Sequence, residues 1–156
     1  MLFRSVDLRD SVLARIAGAE LGPKKYKYSD LGYYLHQRWL ERYYGAPLDD
    51  VLETNWYAPM GIHLQYNPLQ KALSSGDASA AILHLAPTEN DQTFRRQLLR
   101  GTVHDQGAAL LGGVAGHAGL FGSAQDVGRM MQFFLQGGRW NGYQYLEPST
   151  IKAFSS

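Results

Sequence analysis

Between residues 107 and 122 the chain reads GAALLGGVAGHAGLFG, with Gly113, Gly116, Gly119 and Gly122 three apart. Repeated glycine admits tight turns and close approach of one backbone to another. The stretch therefore reads as a long structured loop. It lacks the Gly-Lys-Ser/Thr ending of a phosphate loop and does not fit the dinucleotide fingerprint.

The segments around this loop carry helical periodicity. Leu8, Val12, Leu13 and Ile16 share one face of an amphipathic helix over residues 7–19, which Gly22-Pro23 ends. Asp30 is placed to cap a second helix running to Tyr44, with Leu31, Leu35 and Trp39 four apart, Tyr34 beside them and Gly45 as terminator. Leu48, Val51, Leu52 and Trp56 form a third apolar stripe behind Pro47, stopped by residues 58–62. Residues 74–81 read as an exposed loop, and residues 86–99 as turn residues ending in a short helix. Ser123 and Asp126 make a capping-box start for a helix bearing Val127, Met130, Met131, Phe134 and Leu135. Gly137-Gly138 ends it. Asn141-Gly142 between aromatic residues signals a hairpin, and Pro148 opens a last helix. The expected fold is mainly α, with one short hairpin and one long Gly-rich loop, in a single partial domain over 1–156.

Composition narrows the function classes. The 156 residues carry a formal net charge of +1, so nucleic acid is not the expected partner. The basic-aromatic run Lys24 to Tyr28 reads as a solvated loop. The absence of cysteine removes disulfides, thiol catalysis and Cys-based zinc sites. No apolar run approaches the roughly 18–20 residues of a membrane span, and this segment shows no targeting signal.

Four constellations have chemical potential. Tyr28-Ser29-Asp30 stands before a helix, where a tyrosine hydroxyl can relay protons if cationic neighbours lower its pKa from about 10. The plainer reading is a packed aromatic residue beside a cap. His104 and Asp105 are adjacent, a spacing that favours a loop pair over a base and its orienter. His117, flanked by glycines, either meets a ligand or anchors the loop. His104, Asp105 and His117 follow no recognised metal-ligand spacing. Ser149-Thr150-Ile151-Lys152 has the Ser-x-x-Lys spacing of an activated serine, but at the C-terminal end reads as coincidence.

Taken together, YKYSDLGYYLHQRWLERYYGAPLDDVLETNWYAPMGI and GGVAGHAGLFGSAQDVGRMMQFFLQGG resemble the middle of penicillin-recognising serine hydrolases, the class C β-lactamase and DD-peptidase-like superfamily. LAPTEND with FRRQLLRGTVHDQGAALLGGVAGHAGLF looks especially like the branch fused behind family 3 glycoside hydrolases in Bacteroidetes-type bacteria. The resemblance runs from about residue 7 to the end. It implies the helical lobe of an α/β β-lactamase/transpeptidase-like fold. It also implies a mechanism: a Ser-x-x-Lys serine forms an acyl-enzyme with an amide, ester or β-lactam carbonyl, and the Lys and the second-motif Tyr move protons.

Residue by residue, Tyr28 matches the second-motif Tyr and Asp30 the position of its usual Asn. Asn both donates and accepts, whereas ionised Asp only accepts. Ser29, His104, Asp105, His117 and Gly119 are expected to line the cleft. No Ser-x-x-Lys stands among the 27 residues before Tyr28, and no third motif follows the last helix. The expectation is a catalytically silent fragment needing no cofactor or metal. Its longer parent would act on a small-molecule or peptidoglycan-type substrate in the periplasm or cell envelope. The exposed lobe face would suit a homodimer. The alternative is a helical binding or interaction module without chemistry.

Overall fold

A computed structural model describes residues 6–76 and 83–155. The chain forms two compact units, Met1–Val51 with Tyr66–Phe121, and Leu52–Gln65 with Gly122–Ser156. The strands β1 (Gln65–Tyr66) and β4 (Leu120–Phe121) are two residues each and stand where the chain passes from one unit to the other.

In the first unit, α1 (Val6–Ala17) and α2 (Leu31–Tyr44) follow the sequence periodicity closely. Gly45, at φ 67°, ends α2 in the left-handed conformation that a side chain would strain. The face that α2 buries is not the apolar one. Leu31, Leu35 and Trp39 are exposed, while Gln37 and Glu41 are buried. Gln37 donates to the Val114 carbonyl at 3.1 Å and accepts from the Gly116 N–H at 3.2 Å. One Glu41 oxygen accepts from Arg9 of α1 at 2.7 Å, from Gln37 at 3.1 Å, and from the Leu48 N–H at 3.2 Å. Leu48 opens α3 (Leu48–Leu52), so two polar side chains join α1, α2, α3 and the Gly-rich segment.

Residues 86–99 contain no helix. They build an antiparallel hairpin of β2 (Pro87–Asp91) and β3 (Gln97–Arg100). The reason lies in Asp91, a buried carboxylate that accepts from the N–H groups of Thr93, Phe94 and Arg95 and so folds the turn around itself. These bonds hold its carboxyl well below the usual carboxylate range, against the opposing effect of burial. Arg95 also bonds Asp91 at 3.1 Å and reaches the carbonyls of Val103 and His104, both at 2.5 Å. The hairpin thereby braces the backbone on the N-terminal side of Asp105.

Before the hairpin, α5 (Pro68–Ser75) starts after the left-handed Asn67, with Pro68 in the first turn. Ser74 and Ser75, expected in a loop, belong to this helix, and residues 77–82 lie outside the described ones. After the hairpin, α6 (Gln106–Leu110) packs Ala108 with Val103 and Ala115 in a small apolar cluster.

The second unit has its own core of Tyr57, Met60, Ile62, Leu64 and Phe133. A π-helical turn (Glu53–Tyr57) and α4 (Ala58–Met60) supply one side. The other is α7 (Ala124–Leu135), which begins with the expected reciprocal box between Ser123 and Asp126. α7 turns inward on Phe133, at 1% exposure, whereas Val127, Met131, Phe134 and Leu135 remain exposed. The hairpin β5 (Arg139–Trp140) and β6 (Tyr143–Gln144) closes through Asn141 and Gly142, both at positive φ as its Asn-Gly turn requires. Helix α8 (Pro148–Ser155) starts at Pro148. Among the described residues no helix is long and apolar enough to cross a membrane.

Gln37→Leu leaves the Val114 carbonyl and the Gly116 N–H without their partner. Buried orphans of this kind cost about 1–3 kcal/mol each, so urea unfolding should report a loss of about 3 kcal/mol. An unchanged midpoint would show that the Gly-rich segment does not depend on this contact.

Candidate active site

Tyr28 donates its hydroxyl to Asp30 Oδ1 at 2.8 Å. Asp30 occupies the N-cap position of α2 but makes no capping bond. Its backbone is already helical (φ −75°, ψ −13°), away from the extended conformation that aims a capping side chain at the first turn. Ser29 fills in, its Oγ accepting from the Leu31 N–H at 3.2 Å. Asp30 is thus released from capping and serves the tyrosine.

The Asp30 hydrogen bond and then its charge push the Tyr28 hydroxyl above its ordinary pKa. The direction is opposite to that needed for a proton-accepting phenolate. As it stands, the pair presents a proton donor backed by a carboxylate, open to solvent with Tyr28 71% exposed.

The adjacent His104 and Asp105 do not pair. His104 is exposed and contributes its backbone carbonyl to Arg95. Asp105 caps α6, accepting from the Ala108 N–H at 2.6 Å, and the same oxygen lies 3.1 Å from His117 Nε2. Burial pushes the Asp105 carboxyl up, but the Ala108 N–H and the His117 ring outweigh it and hold the pKa below the ordinary value. The His117 side chain is 5% exposed. The buried Nδ1 has no hydrogen-bond partner. His117 is therefore an anchor of the Gly-rich segment. Gly119, at φ 108°, lies so close to the Gly113 carbonyl that a Cβ would meet it at 2.4 Å.

Tyr34, assigned by sequence only to an apolar stripe, joins these parts. Its ring stands edge-on to His117, with centroids 4.8 Å apart. Burial, then the Asp105 charge, then the Asp30 charge raise its hydroxyl pKa. Tyr34 thus feels both carboxylates, which brings the Tyr28-Asp30 and Asp105-His117 pairs within electrostatic reach of one side chain. Gly107 exists in this place because of Tyr34: a Cβ there would lie 2.2 Å from the tyrosine hydroxyl. Sequence reasoning missed Tyr34, Gly107, Gln37 and Arg95. Only Gly107 left a local trace, as a glycine at the start of a helix.

Ser149 and Lys152 lie on α8 and are both exposed. Among the described residues no group of three or more His, Asp or Glu side chains could hold a metal ion.

The sequence profile of the Beta-lactamase family matches residues 3–156, and the chain belongs to that family. This is a family of β-lactamase-like serine hydrolases. The chain is similar to proteins named "Putative D-alanyl-D-alanine carboxypeptidase". One is from Escherichia coli K12, 36% identical over 137 residues, covering 85% of this chain and 32% of the relative. Another is from Salmonella agona strain SL483, 35% identical over 136 residues, with 84% and 32% covered. The chain thus spans about a third of the length of these relatives. No solved structure matches it significantly.

Gly107→Ala should destabilise the protein by about 2 kcal/mol through the clash with Tyr34. Adding Tyr34→Phe removes the oxygen and leaves Tyr34 Cζ, 3.5 Å from the new methyl, as the nearest ring atom. The double variant should therefore recover most of the loss in a double-mutant cycle. Equal instability of the single and double variants would place the hydroxyl elsewhere.

Asp105 also sets an acid dependence. Its folded pKa is depressed, so its contribution is present above the unfolded value of about 3.9 and is lost as pH falls through the folded one. Urea midpoints should drop below about pH 4, and more shallowly in Asp105→Asn. Identical pH slopes in the two proteins would remove Asp105 as a source.

Proposed function

We propose that residues 1–156 are the helical lobe of a DD-carboxypeptidase-type serine hydrolase and supply its second-motif pair, Tyr28 and Asp30. The observation that carries this reading is the exposed hydrogen bond between them, at 2.8 Å. A hydroxyl held by a carboxylate, at the head of a helix and open to solvent, is suited to passing a proton to a reacting group outside this segment.

In the longer protein, a serine outside residues 1–156 attacks the carbonyl of a D-alanyl-D-alanine peptide bond and forms an acyl-serine ester. The amine leaves with a proton, and water then releases the acyl group. Tyr28 is the donor to the leaving amine. Asp30 alone raises its pKa, so a cation, the lysine partner of that serine, has to approach before Tyr28 can take a proton back. Asp30 accepts from that lysine or from a substrate N–H, and donates to neither. The choice of substrate follows the names of the relatives, and a cell-envelope location for the parent protein goes with it.

The exposed Leu31, Leu35, Trp39 and Tyr43 on α2 support a lobe belonging to a larger body over a free-standing module with a polar surface.

Residues 1–156 should therefore be silent by themselves. Incubation with a fluorophosphonate, and separately with a reactive penicillin, should give no mass increase. A stoichiometric adduct on Ser29 or Ser149 would overturn the assignment of Tyr28 as a helper to a serine elsewhere.

A further inference from the structure

The chain contains four asparagines, Asn55, Asn67, Asn90 and Asn141. An asparagine reacts with its own backbone when the nitrogen of the next residue reaches its side-chain carbonyl carbon. Asn67 is excluded because Pro68 has no N–H, and it is buried at 6% exposure. Asn90 is held in β2 opposite Leu98, and its side-chain oxygen accepts from Gln92 at 2.7 Å. Asn55 lies inside the π-helical turn, ahead of the bulky Trp56.

Asn141 stands apart. It is exposed, its carboxamide makes no hydrogen bond among the described residues, and glycine follows it. Only chain neighbours come within 4 Å of where a Cβ on Gly142 would stand, so no side chain shields the peptide between them. The turn is the remaining restraint. Asn141 and Gly142 stand at φ 47° and 85°, between the paired Trp140 and Tyr143. A turn of this type points the Gly142 nitrogen away from the Asn141 side chain. Rotation about the Asn141 Cα–C bond has to bring the two together. The hairpin is two residues a side, too short to hold its tip firmly. Its base is tied elsewhere: the Tyr145 N–H donates to the Gly138 carbonyl at 2.9 Å, and the Trp140 indole N–H to the Met60 carbonyl at 2.7 Å. The tip can open while these bonds stay in place.

We propose that Asn141 is a site of spontaneous deamidation, entered when the β5–β6 turn opens. The Gly142 nitrogen gives up its proton and bonds to Asn141 Cγ. The Cγ–Nδ2 bond breaks, and the departing nitrogen takes up a proton and leaves as ammonia. A cyclic imide remains. Water then opens the ring at either carbonyl. Cleavage of the new Cγ–N bond gives aspartate, and cleavage of the original peptide bond gives isoaspartate. One water enters and one ammonia leaves. The two products differ in consequence. Asp-Gly suits the same turn as Asn-Gly. Isoaspartate routes the main chain through its own side chain, which adds a carbon to a two-residue loop and breaks the Trp140–Tyr143 register.

The test incubates the 156-residue chain in mildly alkaline buffer and follows its intact mass. Peptide mapping and enzymatic methylation of isoaspartate place the change. One amide-to-acid exchange per chain should accumulate in the peptide that holds Asn141. Asn141→Gly, which keeps a residue suited to positive φ, should abolish it, with circular dichroism as the check on folding. Denaturation in guanidinium chloride should speed the exchange by about tenfold or more, because the turn no longer has to open. The separated isoaspartate form should unfold at lower denaturant than Asn141→Asp, which should match the unmodified chain.

No exchange at Asn141 in the folded chain by the time the denatured chain has reacted fully would overturn the proposal. Exchange at an unchanged rate in Asn141→Gly would place the site elsewhere and overturn it too. Equal rates in the folded and denatured chains would remove the turn as its gate. An isoaspartate form as stable as Asn141→Asp would refute the loss of the turn.

Discussion

Two buried polar side chains one turn apart on α2 hold the first unit's opening helices to its Gly-rich segment. Gln37 brackets Ala115 by bonding the carbonyl before it and the N–H after it, and Glu41 gathers an arginine, a glutamine and a backbone N–H on one oxygen. A glycine-rich segment has little side-chain surface with which to hold itself against a helix. Its backbone groups are the only strong handles, and burying them without partners is costly. The helix therefore turns amides and carboxylates inward. His117 is positioned as a consequence, one residue beyond the N–H that Gln37 holds.

A second brace acts from the other side. Asp91 folds the hairpin turn, and Arg95, held by Asp91, seizes the carbonyls just before Asp105. Asp105 is then free to cap α6 and meet His117 at once. Between these braces Tyr34 lies over Gly107 and against His117, within the fields of Asp30 and Asp105. The arrangement is one of orientation. Tyr28 is exposed, and its hydroxyl is held by Asp30, which raises its pKa. An Asn at position 30 would leave the phenol nearer its ordinary pKa.

Several elements were legible because their causes are local. The Ser123–Asp126 box, the Asn141-Gly142 turn, the Gly45 stop and the proline-led helix start at Pro148 follow the chemistry of a few adjacent residues. Tyr28, Asp30, Asp105 and His117 could be singled out by residue type, though not who pairs with whom. The failures share a cause as well. Apolar periodicity normally marks the core face, and the stripes on α2 and α7 do not say which of their residues pack inward. Here polar side chains meet a glycine-rich backbone on α2, while on α7 Phe133 and Asp126 are buried and Met130 packs against the core. Residues 86–99 read as turn residues ending in a short helix because nothing in their composition announces that one aspartate will collect three backbone N–H groups.

Residue type within a few positions was enough for the ends of several helices, the turn chemistry and the family. Packing in three dimensions was needed for the rest: that Asp30 serves Tyr28 instead of the helix, that Asp105 faces His117 and not His104, and that Tyr34 links the two pairs. Those are choices among several available partners for one carboxylate or one ring. Such choices are settled by which groups the packed backbone brings within about 3 Å, a distance that no local pattern encodes.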